Sequence, residues 1–288
     1  MLEHPALFFW NRVRHRHGWA GFSFLDCADM DLFEKQTPSG AGVKSPLAAR
    51  MRPATIEEIV GQEHILGPGK LLRRAIESDR LGSLILYGPP GCGKTSMAEV
   101  IAKTTHRRFE RVSGVVANVS VLRGVLEAAS GARRREGRET ILFIDEIHHF
   151  NKSQQDILLP CVEDGAITLI GATTHNPFFF VNSPLTSRSQ VFELLPLSED
   201  AIALLLRRAL TDERGLAAIR IRADDDALAY LARVCEGDAR RALNALEIAA
   251  LSTAPDAGGI VALSRQVAED AIQKKAVVYD HDEDGHYD

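Results

Sequence analysis

Cysteine is scarce in this chain of 288 residues: Cys27, Cys92, Cys161 and Cys235 are the only four. They lie too far apart in sequence for paired metal-ligand spacings or a disulfide framework, so a reducing cytoplasm is the expected setting. Long apolar runs are missing. Residues 6–10 are too few to span a bilayer, and Arg12, Arg14 and Arg16 follow them, whereas a signal peptide carries its basic residues in front. No export signal, membrane segment or membrane partner is predicted. A surplus of positive charge is absent too. The formal net charge of -5 excludes coating of nucleic acid by bulk charge and confines any DNA contact to a local basic face.

What is present describes a folded protein. Forty-five per cent hydrophobic and 25% charged residues exclude the disordered and fibrous classes, and the length suffices for one large domain or two modest ones. Both tryptophans, Trp10 and Trp19, fall in the first 24 residues with Phe8, Phe9, Phe22 and Phe24, in a stretch without helical or strand period. Met30 offers an alternative start. Residues 1–45 are expected to be an extension and disordered linker, ending in the turn-rich run Thr37-Pro-Ser-Gly-Ala-Gly-Val.

From Leu84 short apolar runs alternate with helical patterns, which predicts an α/β fold with a parallel sheet covered by helices. The expected strands are 84–87, 109–112, 140–144, 168–172 and 191–194. Past Pro196 the rhythm stops. Ser198 caps a helical pattern with Ile202, Leu205, Leu206 and Ala209 at i, i+3, i+4, i+7, and two more follow around Leu228, Leu231 and Cys235 and around Leu243, Leu246 and Ala250. The predicted organisation is an α/β nucleotide-binding domain at 46–195, a small all-helical lid at 196–275 and an acidic tail at 276–288.

Gly88-Pro89-Pro90-Gly91-Cys92-Gly93-Lys94-Thr95, followed by Ser96, matches the phosphate-loop pattern G-x-x-x-x-G-K-[ST] between an apolar strand and a helical pattern. Glycine lets the backbone curl until several N–H groups and the helix N-terminus face a nucleotide's phosphates. Lys94 then neutralises the β and γ phosphates of ATP, and the Thr95 hydroxyl ligates Mg²⁺. Cys92 reads as a small tolerated loop residue. Further on, Thr140-Ile-Leu-Phe-Ile-Asp-Glu is an apolar strand ending in two carboxylates. In a parallel sheet both reach the carboxyl edge, where Asp145 would hold the Mg²⁺ water shell and Glu146 would orient and polarise the attacking water.

Asp145-Glu-Ile-His-His-Phe-Asn-Lys-Ser-Gln-Gln-Asp, Gly171-Ala-Thr-Thr-His-Asn-Pro, Ser183-Pro-Leu-Thr-Ser-Arg and Gly237-Asp-Ala-Arg-Arg-Ala-Leu-Asn closely resemble the replication-associated recombination protein A family, and Pro46-Leu-Ala-Ala-Arg-Met-Arg-Pro and Ile59-Val-Gly-Gln-Glu-His look like its N-terminal signature. The match runs from about residue 46 to the C-terminus. This branch of the AAA+ ATPases is related to clamp loaders and implicated in rescue of stalled replication forks. The resemblance implies an ATPase with ATP and Mg²⁺ as cofactors, stimulated by DNA at single-stranded gaps, ends or forks. It also implies a homo-oligomer and a cytoplasmic, nucleoid-associated location. By the same resemblance Thr174 takes the sensor-1 position, Arg188 is the arginine finger that reaches a neighbouring subunit's nucleotide, and Arg240 is sensor 2, with Arg241 as its rival. Ile59, Val60, Gly61 and Gln62 would cup the adenine.

Three departures from the family pattern stand out. His149 replaces an expected Arg, His175 replaces an expected Glu, and the chain stops at Tyr287-Asp288 where family members continue into a helical oligomerisation region, so weakened ring assembly is expected. Arg133-Arg-Arg-Glu-Gly-Arg is a candidate for DNA phosphates, but Glu136 and Glu139 dilute it and a solvated loop is the favoured reading. Asp29-Met-Asp-Leu-Phe resembles the short peptide by which bacterial replication proteins dock on the sliding clamp; that clamp and a single-strand-binding protein are the candidate protein partners. The competing functions are a clamp-loader or branch-migration motor subunit, and an ATP-gated recruitment module with little turnover.

Overall fold

The computed structural model describes residues 45–105 and 107–279. The aromatic N-terminal stretch, Met30, the clamp-docking peptide, the turn-rich linker and residues 280–288 of the acidic tail lie outside the described residues. Five strands, β1 Leu84–Tyr87, β2 Arg108–Ser113, β3 Thr140–Asp145, β4 Ile167–Thr173 and β5 Gln190–Glu193, form one parallel sheet in the order β2-β3-β4-β1-β5. These are the expected strands with ends shifted by at most one residue.

Side chains alternate across this sheet as a period of two requires. Ile141 and Phe143 share a core with Leu84, Leu86 and Ile170 against Met97, Val100 and Ile101 of the helix Lys94–Thr104. Leu142 and Ile144 join Ile85 and Leu169 in the core on the opposite face, which Leu122, Leu126 and Leu158 complete. Burial on both faces explains why the central strands read as nearly unbroken apolar runs. After β1 the chain passes over β4 and β3 to reach β2, works back strand by strand, and closes with β5 on the far side of β1. The reversal falls at the carboxyl end of β1, the place where open parallel sheets bind their ligands.

The helices Glu199–Thr211, Asp225–Val234, Ala239–Ser252 and Arg265–Tyr279 contribute to a third core around Ile202, Leu206, Leu228, Leu231, Leu246 and Ala271. Ser198 caps the first of them, its hydroxyl accepting from Ala201 N at 3.2 Å. Leu47 and Met51 from the opening segment also pack in this core, and Arg50 pairs with Glu247 at 2.8 Å. Two short strands, β6 Ile221–Ala223 and β7 Val261–Leu263, pair in parallel within the helical region. The sequence reading made residues 196–275 all-helical and began the tail at 276; β6 and β7 correct the first, since three residues are too few to display a strand period, and the helix Arg265–Tyr279 runs past the second. Among the described residues no helix is long and apolar enough to cross a membrane.

Candidate nucleotide-binding and hydrolysis site

At the carboxyl end of β1 the chain curls into the phosphate loop. Gly91 and Gly93 have φ of +69° and +103°, which side chains with a Cβ rarely adopt. Gly91 is also fixed by crowding: a Cβ there would lie 1.9 Å from Asp238 Oδ1, and Gly91 O accepts from Ala239 N at 3.3 Å. The loop therefore rests directly on the first turn of the helix Ala239–Ser252, whose cap is the same Asp238, accepting from Arg241 N at 2.9 Å. Lys94 is buried, and its Nζ donates to Gly88 O at 2.7 Å and Pro89 O at 2.9 Å. Cys92 is buried, and that burial pushes its thiol pKa up, away from thiolate reactivity.

A cleft of about 380 Å³ opens between this loop and the helical region. Residues 90–96 line it from the sheet side, with Asp145, Glu146 and Thr174. Glu146 adopts a left-handed backbone at φ +54°, an arrangement that costs about 1 kcal/mol for a residue with a side chain. Gly114 makes the turn possible: its N–H donates to Asp145 O at 2.7 Å, and a Cβ there would lie 2.2 Å from Glu146 O. Asp145 accepts from Arg111 Nη2 at 2.7 Å. Arg111 sits over the Phe143 ring at 5.8 Å, and its Nη1 lies 4.0 Å from Glu99, itself paired with Arg52 at 2.5 Å. The sequence reading missed Arg111, because only the pairing of β2 with β3 brings it to Asp145.

From the helical side, Arg240 and Asn244 line the cleft one helical turn apart. Arg240 is exposed and has no ion pair among the described residues, whereas its rival Arg241 does not line the cleft. Among the described residues Asn244 Oδ1 is buried without a hydrogen-bond partner; sequence reasoning assigned it no role. Of the four residues expected to cup adenine, Ile59 and Val60 line the cleft and Gly61 and Gln62 do not. Gln62 is buried behind it. Its amide donates to Leu195 O at 2.8 Å and Cys92 O at 3.3 Å and accepts from Leu195 N at 3.2 Å. Gly88 and Pro89 also stand back, their carbonyls turned to Lys94. Arg188 lies away from this cleft, at the end of the short helix Ser183–Ser187, paired with Glu163 at 2.7 Å.

These residues fit a nucleoside triphosphate. Left-handed glycines form the cradle, and among the described residues Lys94 bonds only neutral carbonyls and Arg240 has no ion pair across the gap. A hydroxyl at Thr95 and a carboxylate at Asp145 line the same cleft and are the oxygen donors that Mg²⁺ takes.

Residues 84–197 match the model of the AAA family, ATPases associated with various cellular activities, and residues 217–288 match an AAA C-terminal domain. The chain is 45% identical over 244 residues to the replication-associated recombination protein A of Bacillus subtilis, covering 84% of this chain and 57% of that protein. With the protein of the same name from Escherichia coli it shares 46% identity over 244 residues, 84% of this chain and 54% of that one. It thus spans about half the length of these curated relatives. Among solved structures, Thermotoga maritima RuvB, a Holliday junction branch migration motor, superposes with a TM-score of 0.62 at 26% identity, covering 78% of this chain and 73% of that one. A phosphate loop, an acidic strand end, a helical region behind an AAA domain and this degree of identity agree: the chain belongs to the replication-associated recombination protein A family of AAA ATPases.

Proposed function

We propose that this chain binds ATP with Mg²⁺, hydrolyses it, and uses the turnover to remodel DNA at stalled replication forks or gaps, within a homo-oligomer. The observation that carries this reading is the convergence of four parts on one cleft: the glycine cradle with Lys94, the pair Asp145 and Glu146, Thr174, and Arg240 from the helical region. Bound ATP and Mg²⁺ supply the phosphoanhydride and the charge that steadies it. Lys94 would take up phosphate charge, Thr95 and Asp145 would hold the metal, and Glu146 would accept the proton of the attacking water. Thr174, which follows β4 and lines the cleft, would face the terminal phosphate, and Arg240 would link its departure to movement of the helical region. Arg188 serves a neighbour's site. The names of the relatives, a replication-associated recombination protein and a branch migration motor, support DNA as the partner.

Turnover measured with and without gapped, forked and blunt duplex DNA tests this. DNA should raise the rate, and raising salt should suppress the increase by counterion competition. The alternative reading is an ATP-gated recruitment module with little turnover. Equal rates with and without every DNA at low salt would favour that module.

A further inference from the structure

The sequence singled out Glu146 and passed over its neighbour two residues on. Glu146 Oε2 is buried and has no aligned hydrogen bond among the described residues, yet His148 Nδ1 lies 3.2 Å away. The same Nδ1 is 2.9 Å from Thr173 Oγ1. The His148 side chain is 9% exposed, and its ring meets His149 at 4.3 Å, His175 at 4.4 Å and Phe180 at 6.1 Å between centroids. Rings on several sides fix its orientation, so Nδ1 is held between a carboxylate and a hydroxyl.

The neighbours assign the proton. Thr173 Oγ1 accepts from His175 N at 3.0 Å, and its own hydroxyl can donate to His175 O at 3.3 Å. If Thr173 donated to Nδ1 instead, the imidazole lone pair and the Glu146 carboxylate would face each other as two acceptors at 3.2 Å. The arrangement favours the hydrogen on Nδ1, donated to Thr173 Oγ1 at 2.9 Å, with Glu146 Oε2 at 3.2 Å and off the line of that bond. Burial lowers the pKa of the ring; Glu146 opposes that, while His149, His175 and Lys94 reinforce it. Thr173 precedes Thr174, so the imidazole joins the carboxylate to the strand end that lines the cleft.

We propose that His148 is a positioning residue for Glu146: its polar Nδ1–H edge, tied to Thr173 at the end of β4, holds Oε2 by electrostatic attraction at 3.2 Å, leaving Oε1 for the attacking water. This rests on the reading of Glu146 as the water-orienting base. The carboxylate would otherwise swing about its side-chain torsions, and a base that must be within hydrogen-bond reach of the water would spend less time there.

Three variants of the full chain decide the matter, each measured for turnover at saturating ATP and for affinity towards a fluorescent ATP analogue. His148→Phe keeps an aromatic ring but deletes the donor; it should lower kcat on the order of tenfold with unchanged nucleotide affinity. His148→Asn offers an amide N–H in a similar place and should recover most of that loss. Glu146→Gln runs alongside. If Glu146→Gln turns over like the parent, the reading of Glu146 has failed; if it is inactive while His148→Phe matches the parent, only the positioning role is overturned. An Asn variant as slow as the Phe variant overturns it too. A readout free of turnover, and of whether either variant folds, is the ¹⁵N shift pattern of the His148 ring in the parent at neutral pH. The Nδ1–H tautomer is expected, and an Nε2–H tautomer would overturn the anchor.

Discussion

Lys94 and Glu146 face the same cleft, but each answers to different chemistry. The ammonium of Lys94 is held by two carbonyl oxygens, weaker partners than phosphate, so it is available to a polyanion. Lys94→Ala should weaken ATP binding by roughly 10–100-fold, the scale of a lost charged hydrogen bond. Glu146→Gln keeps shape and removes basicity: affinity should hold while kcat falls on the order of 10²–10⁴-fold. Isothermal titration beside a phosphate-release assay separates the two, and hydrolysis by Glu146→Gln at the parental rate would remove Glu146 from its role. Their meeting at one cleft was legible in the sequence because the phosphate loop and the acidic pair are each continuous in the chain. Arg111, Gln62 and His148 were not, since the role of each depends on a partner supplied by another strand or loop.

At the scale of elements, the helical region and the sheet are joined by contacts that sequence pattern does not display. Gln62 ties three segments together through one buried amide: its own loop, the phosphate loop at Cys92 and the strand-to-helix passage at Leu195. Gln62→Leu has the volume for the site but leaves Leu195 N, Leu195 O and Cys92 O without that partner. The expected cost is about 2 kcal/mol or more, read as a fall of several degrees in the thermal midpoint. An unchanged midpoint would mean that water replaces the amide. The family resemblance assigned Gln62 to adenine, and the fold gives its amide to the backbone instead. Runs such as Thr140–Asp145 were legible since burial on both faces writes a continuous apolar string. The ribbon of β6 and β7 was not, for its partners stand far apart in the chain and Arg222 interrupts the apolar signal.

The whole molecule raises the question of where Arg188 acts. In this chain it lies outside the cleft that holds Lys94 and Glu146. Its pair with Glu163 is held between side chains 43% and 50% exposed, where water screens the attraction, so the guanidinium is released at little cost. If it completes a neighbour's site, specific activity must depend on protein concentration, because a lone subunit lacks one of its groups. Dilution should lower turnover per subunit, and DNA that gathers subunits should restore it. Mixing variants gives the sharper measurement. Arg188→Ala retains an intact phosphate loop, and Lys94→Ala retains an intact finger; in a mixed assembly some interfaces join the loop of one to the finger of the other. Each variant alone should be slow, and the mixture should recover a fraction of the parental rate that rises and then falls as the ratio is varied. Activity independent of concentration, together with no recovery at any ratio, would leave Arg188 as the surface partner of Glu163 and nothing more.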